Sequence, residues 1–445
     1  MGLPVADAGN ADDLAPPITT ASGVYPWVVF VLTFALLLSD YMSRQVVSAV
    51  LPILKSQWDV SDAHLGSLTG VVALMVGVLT FPLSVAADRW GRVRLLVASA
   101  ALWSIATLFC AFAGSYTQML IGRFFVGIGE AAYGSIGAAV VVGLFAPQLR
   151  ASLTGAFMSG GMFGSVAGVA LGGVIAVHFG WRWAFGTMAV IGLVLVVAFR
   201  SSVNEHRIAA HKYPDDERVP GTSADIRVPL SSLFKGVSVL SVYVGSGLQM
   251  FVGGALMTWL PSYINRYYSL AADQAALLAS AFVLMIGVGM VGCGMITDKV
   301  SRLDDSKKWT SSISFCLASA GLLLTAFSLS PGAMQLILLG SGAFFAAGIA
   351  GPAGAMAANL THSSVRASAF GTVTLANSLL GLAPGPVIAG ALADNLGLAA
   401  ALRIVPLASV FAAIALIIGK RYYAAGLSRL RALSTAAAAP ETSAR

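Results

Sequence analysis

Two pairs of charged side chains sit inside otherwise apolar stretches of the chain. Asp40 and Arg44 are four residues apart, and Arg123 and Glu130 are seven apart. Both spacings put the partners on one face of a helix. A carboxylate beside an arginine can take up and release a proton as the arginine changes partner. Such groups are expensive in lipid, about 3 kcal/mol for one central charge on the lowest scale. Intramembrane ionisable groups therefore mark ion or proton pathways, the alternative being a buried ion-pair network that fixes helix packing. Counted from the outer helix ends at ~1.5 Å per residue, Asp40 lies ~18 Å deep, Arg123 ~10 Å and Glu130 ~21 Å. Asp40 is then within reach of both residues of the other pair if the two helices are neighbours.

The elements that hold these residues follow from composition. Of 445 residues, 57% are hydrophobic and 10% charged, with a mean hydropathy of +0.84. A soluble chain of this length carries about 25% charge, so the apolar residues face lipid. This excludes a soluble enzyme, a nucleic-acid binder and a disordered chain. Twelve runs are long enough to cross a bilayer, which takes about 20 apolar residues. In the first half they are 26–51, 64–87, 95–114, 116–146, 150–178 and 182–200. In the second they are 236–264, 274–297, 309–330, 332–360, 366–393 and 398–419. The expected organisation is a tail at 1–24, a six-helix bundle at 25–200, a polar linker at 201–235, a second bundle at 236–421 and a tail at 422–445. The absence of a basic start and a short apolar core argues against a cleaved signal peptide.

Twenty Lys and Arg fall in the loops and tail of one side and four, Lys55, Arg182, Arg266 and Arg403, on the other. That bias places both termini and the linker in the cytoplasm of an inner-membrane protein. The sequence pI near 9.4 thus records orientation, and no nucleic-acid partner is expected. Cys110, Cys293 and Cys316 lie in apolar runs without metal-ligand spacing. All five histidines lie at span ends or in loops. No metal and no cofactor is expected.

The halves repeat one another. Ser84-x3-Asp88-Arg89-x-Gly91-Arg92 is followed 210 residues later by Gly294-x3-Asp298-Lys299-x-Ser301-Arg302. Arg150-Ala-Ser recurs as Arg366-Ala-Ser, and Gly164-x3-Gly168 as Gly381-x3-Gly385. Parallel repeats of this kind are a transporter architecture with a site near the midplane between them. The Asp88–Arg92 loop resembles the most specific signature of the major facilitator superfamily, with Ser84 where that family usually has glycine. The resemblance implies an all-α fold of twelve transmembrane helices in two pseudo-symmetric bundles. It also implies that Asp88, Arg89, Gly91, Arg92, Asp298, Lys299 and Arg302 form a cytoplasmic gate. Small residues from Gly155 to Gly173 let helices approach closely. They are also similar to the superfamily's antiporter motif, with Val169 in place of its proline, which implies export.

Within the superfamily, Gly127-Ile-Gly129-Glu130-Ala131-Ala132-Tyr133 looks like the spinster branch, as do Asp40-Tyr41-Met42-Ser43-Arg44 and Val50-Leu51-Pro52. Gly254-Ala255-Leu256 followed by Trp259-x-Pro261 fits as well. That branch has an aspartate where Ser43 stands; here the acid is Asp40, three residues earlier. The resemblance implies an amphipathic lipid-like anion of the lysophospholipid or sphingoid phosphate class; with the intramembrane charges, the expectation is alternating access with proton coupling through Asp40, Glu130, Arg123 and Arg44. The cavity would be lined by Tyr41, Arg44, Arg123, Tyr133, Gln249, Trp259, Asn359 and Asn377; singly, each of the uncharged six fits helix packing or an interfacial belt better. The expected partners are membrane lipids, protons and a small-molecule or lipid substrate, and the working unit is a monomer. A proton-coupled carrier of small organic anions or drugs is the alternative, and a multispan membrane enzyme a remoter one.

Overall fold

In lipid a backbone N–H or C=O has no water to bond, so a spanning segment must satisfy its own hydrogen bonds. The chain answers with helices. The computed structural model describes residues 24–131, 133–211, 233–361, 366–428 and 430, and no strand occurs among them. Twelve helices there are long and apolar enough to cross a membrane. In the first half they are α1 (Val24–Trp58), α2 (Asp62–Ala87), α3 (Arg92–Ala111), α4 (Tyr116–Leu144), α5 (Ser152–Phe179) and α6 (Trp181–Ser202). The second half has α7 (Val237–Tyr267), α8 (Ala272–Val300), α9 (Lys307–Ser328), α10 (Ala333–Asn359), α11 (Ser368–Leu396) and α12 (Leu398–Arg421). A short helix, Glu205–Ala210, follows α6. Most of the expected linker and both tails lie outside the described residues.

Hydrophobicity does not distinguish the two faces of a spanning helix. On α6, Val190, Val194 and Val197 form an exposed stripe, while Phe185, Met188, Ala189 and Gly192 are buried. Apolar side chains thus point both ways, as a helix in lipid requires.

The duplication read in the sequence recurs in the packing. A Cβ on Gly164 would strike the Leu38 carbonyl and one on Gly168 the Met42 carbonyl, both of α1. In the second half, Gly381 meets the Gly247 carbonyl and Gly385 the Phe251 carbonyl, both of α7. So α5 lies against α1, and α11 against α7, with backbones in contact through the same glycine pair.

Several helix ends and interiors differ from the sequence expectation. Pro52 sits inside α1 instead of ending it, and the helix runs on to Trp58. A proline removes one helical hydrogen bond, and buried Leu51 and Leu54 hold the turn around it. Within α4 the regular helix stops at Glu130 and resumes at Tyr133. The corresponding place in α10 is interrupted too, between Ala346 and Ala350. At Ala131 the Thr80 hydroxyl donates to the main-chain carbonyl at 2.8 Å, tying α2 to α4. In α11 a wide turn over Ser378–Leu382 separates Arg366–Asn377 from Pro384–Leu396.

Candidate functional site

The four intramembrane charges meet at α1 and α4, with a pairing the sequence left open. Arg44 reaches across to Glu130: Nε donates to Oε2 at 2.8 Å and Nη2 lies 2.7 Å from the same oxygen. The Glu130 side chain is fully buried, and that of Arg44 is 19% exposed. Asp40, one turn before Arg44, is buried and close enough to interact with both Glu130 and Arg44. One carboxyl oxygen of Asp40 and one of Glu130 have no hydrogen-bond partner. Beside the ion pair, the Arg44 guanidinium carbon sits 5.3 Å from the centre of the Tyr41 ring, a cation–π distance.

Arg123 does something else. It is wholly buried, and its guanidinium donates to three main-chain carbonyls. Nε donates to Leu68 of α2 at 3.1 Å, Nη1 to Ser43 at 3.0 Å and Nη2 to Arg44 at 2.9 Å, the last two on α1. The planar fork of an arginine suits such a three-way junction. Arg123 therefore does not present a free guanidinium to a cavity. Arg44 is the partly accessible cation of the cluster.

The remaining sequence candidates separate into different places. Tyr133 is buried, stacks edge-on with Trp103 and donates its hydroxyl to the Thr33 carbonyl at 3.0 Å. Trp259 is also buried, its indole N–H donating to the Pro386 carbonyl at 2.9 Å, so it ties α7 to α11. Asn359 lies at the far end of α10 and donates to Asp305 at 3.3 Å, away from the charged cluster. Asn377, just before the wide turn of α11, accepts from the Ser246 hydroxyl at 2.6 Å. Gln249 is fully buried, its Nε2 lies 3.5 Å from the Phe345 carbonyl, and its Oε1 has no partner.

Gln249 also has a symmetry meaning that single-residue reading missed. Since Gly164 packs on Leu38 and Gly381 on Gly247, the repeat makes Gln249 of α7 the counterpart of Asp40 of α1. The signal was available in the duplicated glycines. An acid in one half thus has a neutral, longer amide as its repeat counterpart in the other.

At the loop carrying the gate signature, Gly91 joins α2 to α3 with φ +95°, a conformation that glycine adopts without steric cost. Glu205 from the short helix after α6 accepts from the Val93 N–H at 2.7 Å, filling the space a Gly91 Cβ would need. Arg89, Arg92, Asp298, Lys299 and Arg302 are exposed, and the side chain of Asp88 lies outside what is described. Gly91→Ala combines a strained φ with a collision against Glu205. It should lower stability by about 1 kcal/mol or more, read as a fall in the thermal midpoint of the purified protein. An unchanged midpoint would mean that the loop relaxes freely.

The fold and this site define a class. The chain belongs to the Major Facilitator Superfamily, whose family model matches residues 33–343 and, in a second match, 242–440. It is an integral membrane protein of a transporter family.

Among individual proteins it is similar to the hexuronate transporter of Bacillus subtilis, 24% identical over 59% of this chain and 62% of that protein. It is also similar to protein spinster homolog 1 of Xenopus laevis, 27% identical over 54% of this chain and 46% of that protein. These matches span between about half and two thirds of the relatives' lengths. A crystal structure of a bacterial homolog of the human lysosomal transporter spinster, in an inward-facing and unoccupied conformation, shares the fold. Its TM-score is 0.79 at 18% identity, covering 91% of this chain and 99% of that one.

Proposed function

We propose that this chain is a proton-coupled secondary transporter working by alternating access between its two six-helix halves, 25–200 and 236–421. The face bearing Arg89, Arg92, Arg94, Lys299 and Arg302 is the cytoplasmic face of an inner membrane, and both termini lie there. The observation that carries the reading is the buried Arg44–Glu130 pair with Asp40 beside it. Two carboxyl groups share one accessible arginine, so a single added proton brings that trio to neutrality. Protonation weakens the hold of Glu130 on Arg44, and the freed guanidinium can bind an anionic substrate. Proton binding and substrate binding are then linked through one group, as coupling requires.

The substrate favoured is an amphipathic lipid-like anion, moved outward. Similarity to spinster proteins supports it. The similarity to a hexuronate transporter supports a second reading, a compact organic acid bound by the same arginine. The protein works as a monomer in both.

The test is transport by purified protein in liposomes under an imposed pH gradient. A panel ranked first by thermal stabilisation would span lysophospholipids, fatty acids, hexuronates and aromatic acids. A pH gradient that drives accumulation of one member supports the proposal. Transport indifferent to the gradient sinks proton coupling, and stabilisation by hexuronates alone moves the substrate to the second reading.

A further inference from the structure

On the face opposite the gate signature, each half offers a carboxylate to the other. Asp62, the first residue of α2, has a side chain only 3% exposed. It accepts two hydrogen bonds from Arg266 at the end of α7, at 2.8 and 3.0 Å, and contacts Lys55 of its own half at 2.7 Å. In return, Asp394 near the end of α11 accepts from the main-chain N–H groups of Asp62 and Ala63, at 2.6 and 2.9 Å. Ser61 accepts from the next N–H, that of His64, at 3.2 Å.

The first N–H groups of a helix have no partner within it and carry the positive end of its dipole. At α2 they are satisfied by a residue 332 positions away in the other half. The opposite element is equally tight, since a Cβ on Gly390 of α11 would strike the Asp62 carbonyl and one on Gly66 the Pro386 carbonyl. Thr69 and Thr258 add a hydroxyl contact at 3.4 Å, about two turns inward. A bidentate Arg–carboxylate pair and a carboxylate on two amide N–H groups are among the stronger polar contacts available.

We propose that this reciprocal exchange is the outer gate: Asp62 with Arg266, and Asp394 with the start of α2, hold the outer face shut. The outward-open state is reached only when both come apart. The inference rests on the alternating-access reading above. It assigns to Arg266 a role beyond recording orientation, and to Asp394 a role that lies wholly in another helix's terminus. Leu68, whose carbonyl is held by Arg123, is six residues along α2 from Asp62. The gate and the charged cluster therefore act on the same helix.

The experiment uses the full chain in lipid nanodiscs with spin labels at His178 and Gln274, exposed positions at the outer ends of α5 and α8. The three native cysteines are buried, so labelling at introduced cysteines is selective. Distances are measured by pulsed electron resonance for wild type, Arg266→Gln, Asp394→Asn and the double variant. Each single variant should shift the ratio of long to short distances by about tenfold, the worth of one charge-assisted bond or more, and the double variant further. Distributions identical to wild type in the folded single variants would overturn the gate, even if the double variant fails to fold. Adding substrate or changing pH in the wild type tests alternating access separately. A wild type that responds while the variants do not shift refutes the gate alone.

Discussion

Glu130→Gln abolishes pH-driven accumulation while leaving substrate exchange at equal pH measurable. Glutamine fills the same volume and its Oε can still accept from Arg44, so the helix contact between α1 and α4 survives. What is lost is the negative charge that holds Arg44 and the site where a proton can displace it. In a vesicle assay the gradient-driven component should fall to the level of protein-free liposomes. Exchange of labelled for unlabelled substrate should persist. A variant that still accumulates substrate under a gradient would move the carrier elsewhere, with Asp40 the remaining acid of the cluster. Asp40→Asn addresses that directly: an unchanged gradient-driven rate assigns Asp40 to packing. Ser43→Asp adds a carboxylate next to the main-chain carbonyl that Arg123 holds. Combined with Asp40→Asn, it asks whether an acid at that position can replace Asp40.

The largest stability effect is expected at Arg123. Its three donors tie α4 to α1 and α2 through backbone carbonyls, and a charge-assisted hydrogen bond is worth about 1.5–3 kcal/mol. Arg123→Leu fills space but leaves no donor, so a loss of about 3 kcal/mol or more is expected after the regained desolvation cost is counted. Arg123→Lys is the more telling variant. It keeps the charge, yet one ammonium on a flexible stem cannot reach carbonyls of two helices in fixed geometry. The lysine variant should therefore lie close to the leucine variant in thermal midpoint. If it instead matches wild type in midpoint and in transport, Arg123 acts through its charge and the fork is incidental.

These two residues also show where the sequence was readable. Length and hydropathy located twelve spans because lipid leaves a backbone no alternative to helices. The duplication was visible because the same glycines recur at a fixed offset, and the packing of α5 on α1 and α11 on α7 follows it. The four intramembrane charges stood out by rarity. Their partners did not, because helix periodicity lists neighbours along one helix and is silent about the next. Hence Asp40 and Arg44 read as a pair, whereas Arg44 reaches Glu130 on another helix. Arg123 looked like a free cation because main-chain acceptors leave no trace in a residue pattern. Asn359 was placed on a span, but its depth depended on where α10 ends. Asp62, Arg266 and Asp394 were hidden by their position at span ends, where acids and bases are ordinary.

The paired glycine seams have a mechanical consequence. Where Gly164 and Gly168 of α5 meet carbonyls of α1, and Gly381 and Gly385 of α11 meet carbonyls of α7, little side chain remains to absorb displacement. Each half then behaves as a stiff lever whose fulcrum is the midplane. In the alternating-access cycle proposed above, a small movement where Arg44 releases Glu130 is amplified along the length of the helices and emerges at their ends as an opening. Softening a seam would therefore blunt the stroke without touching a single charge.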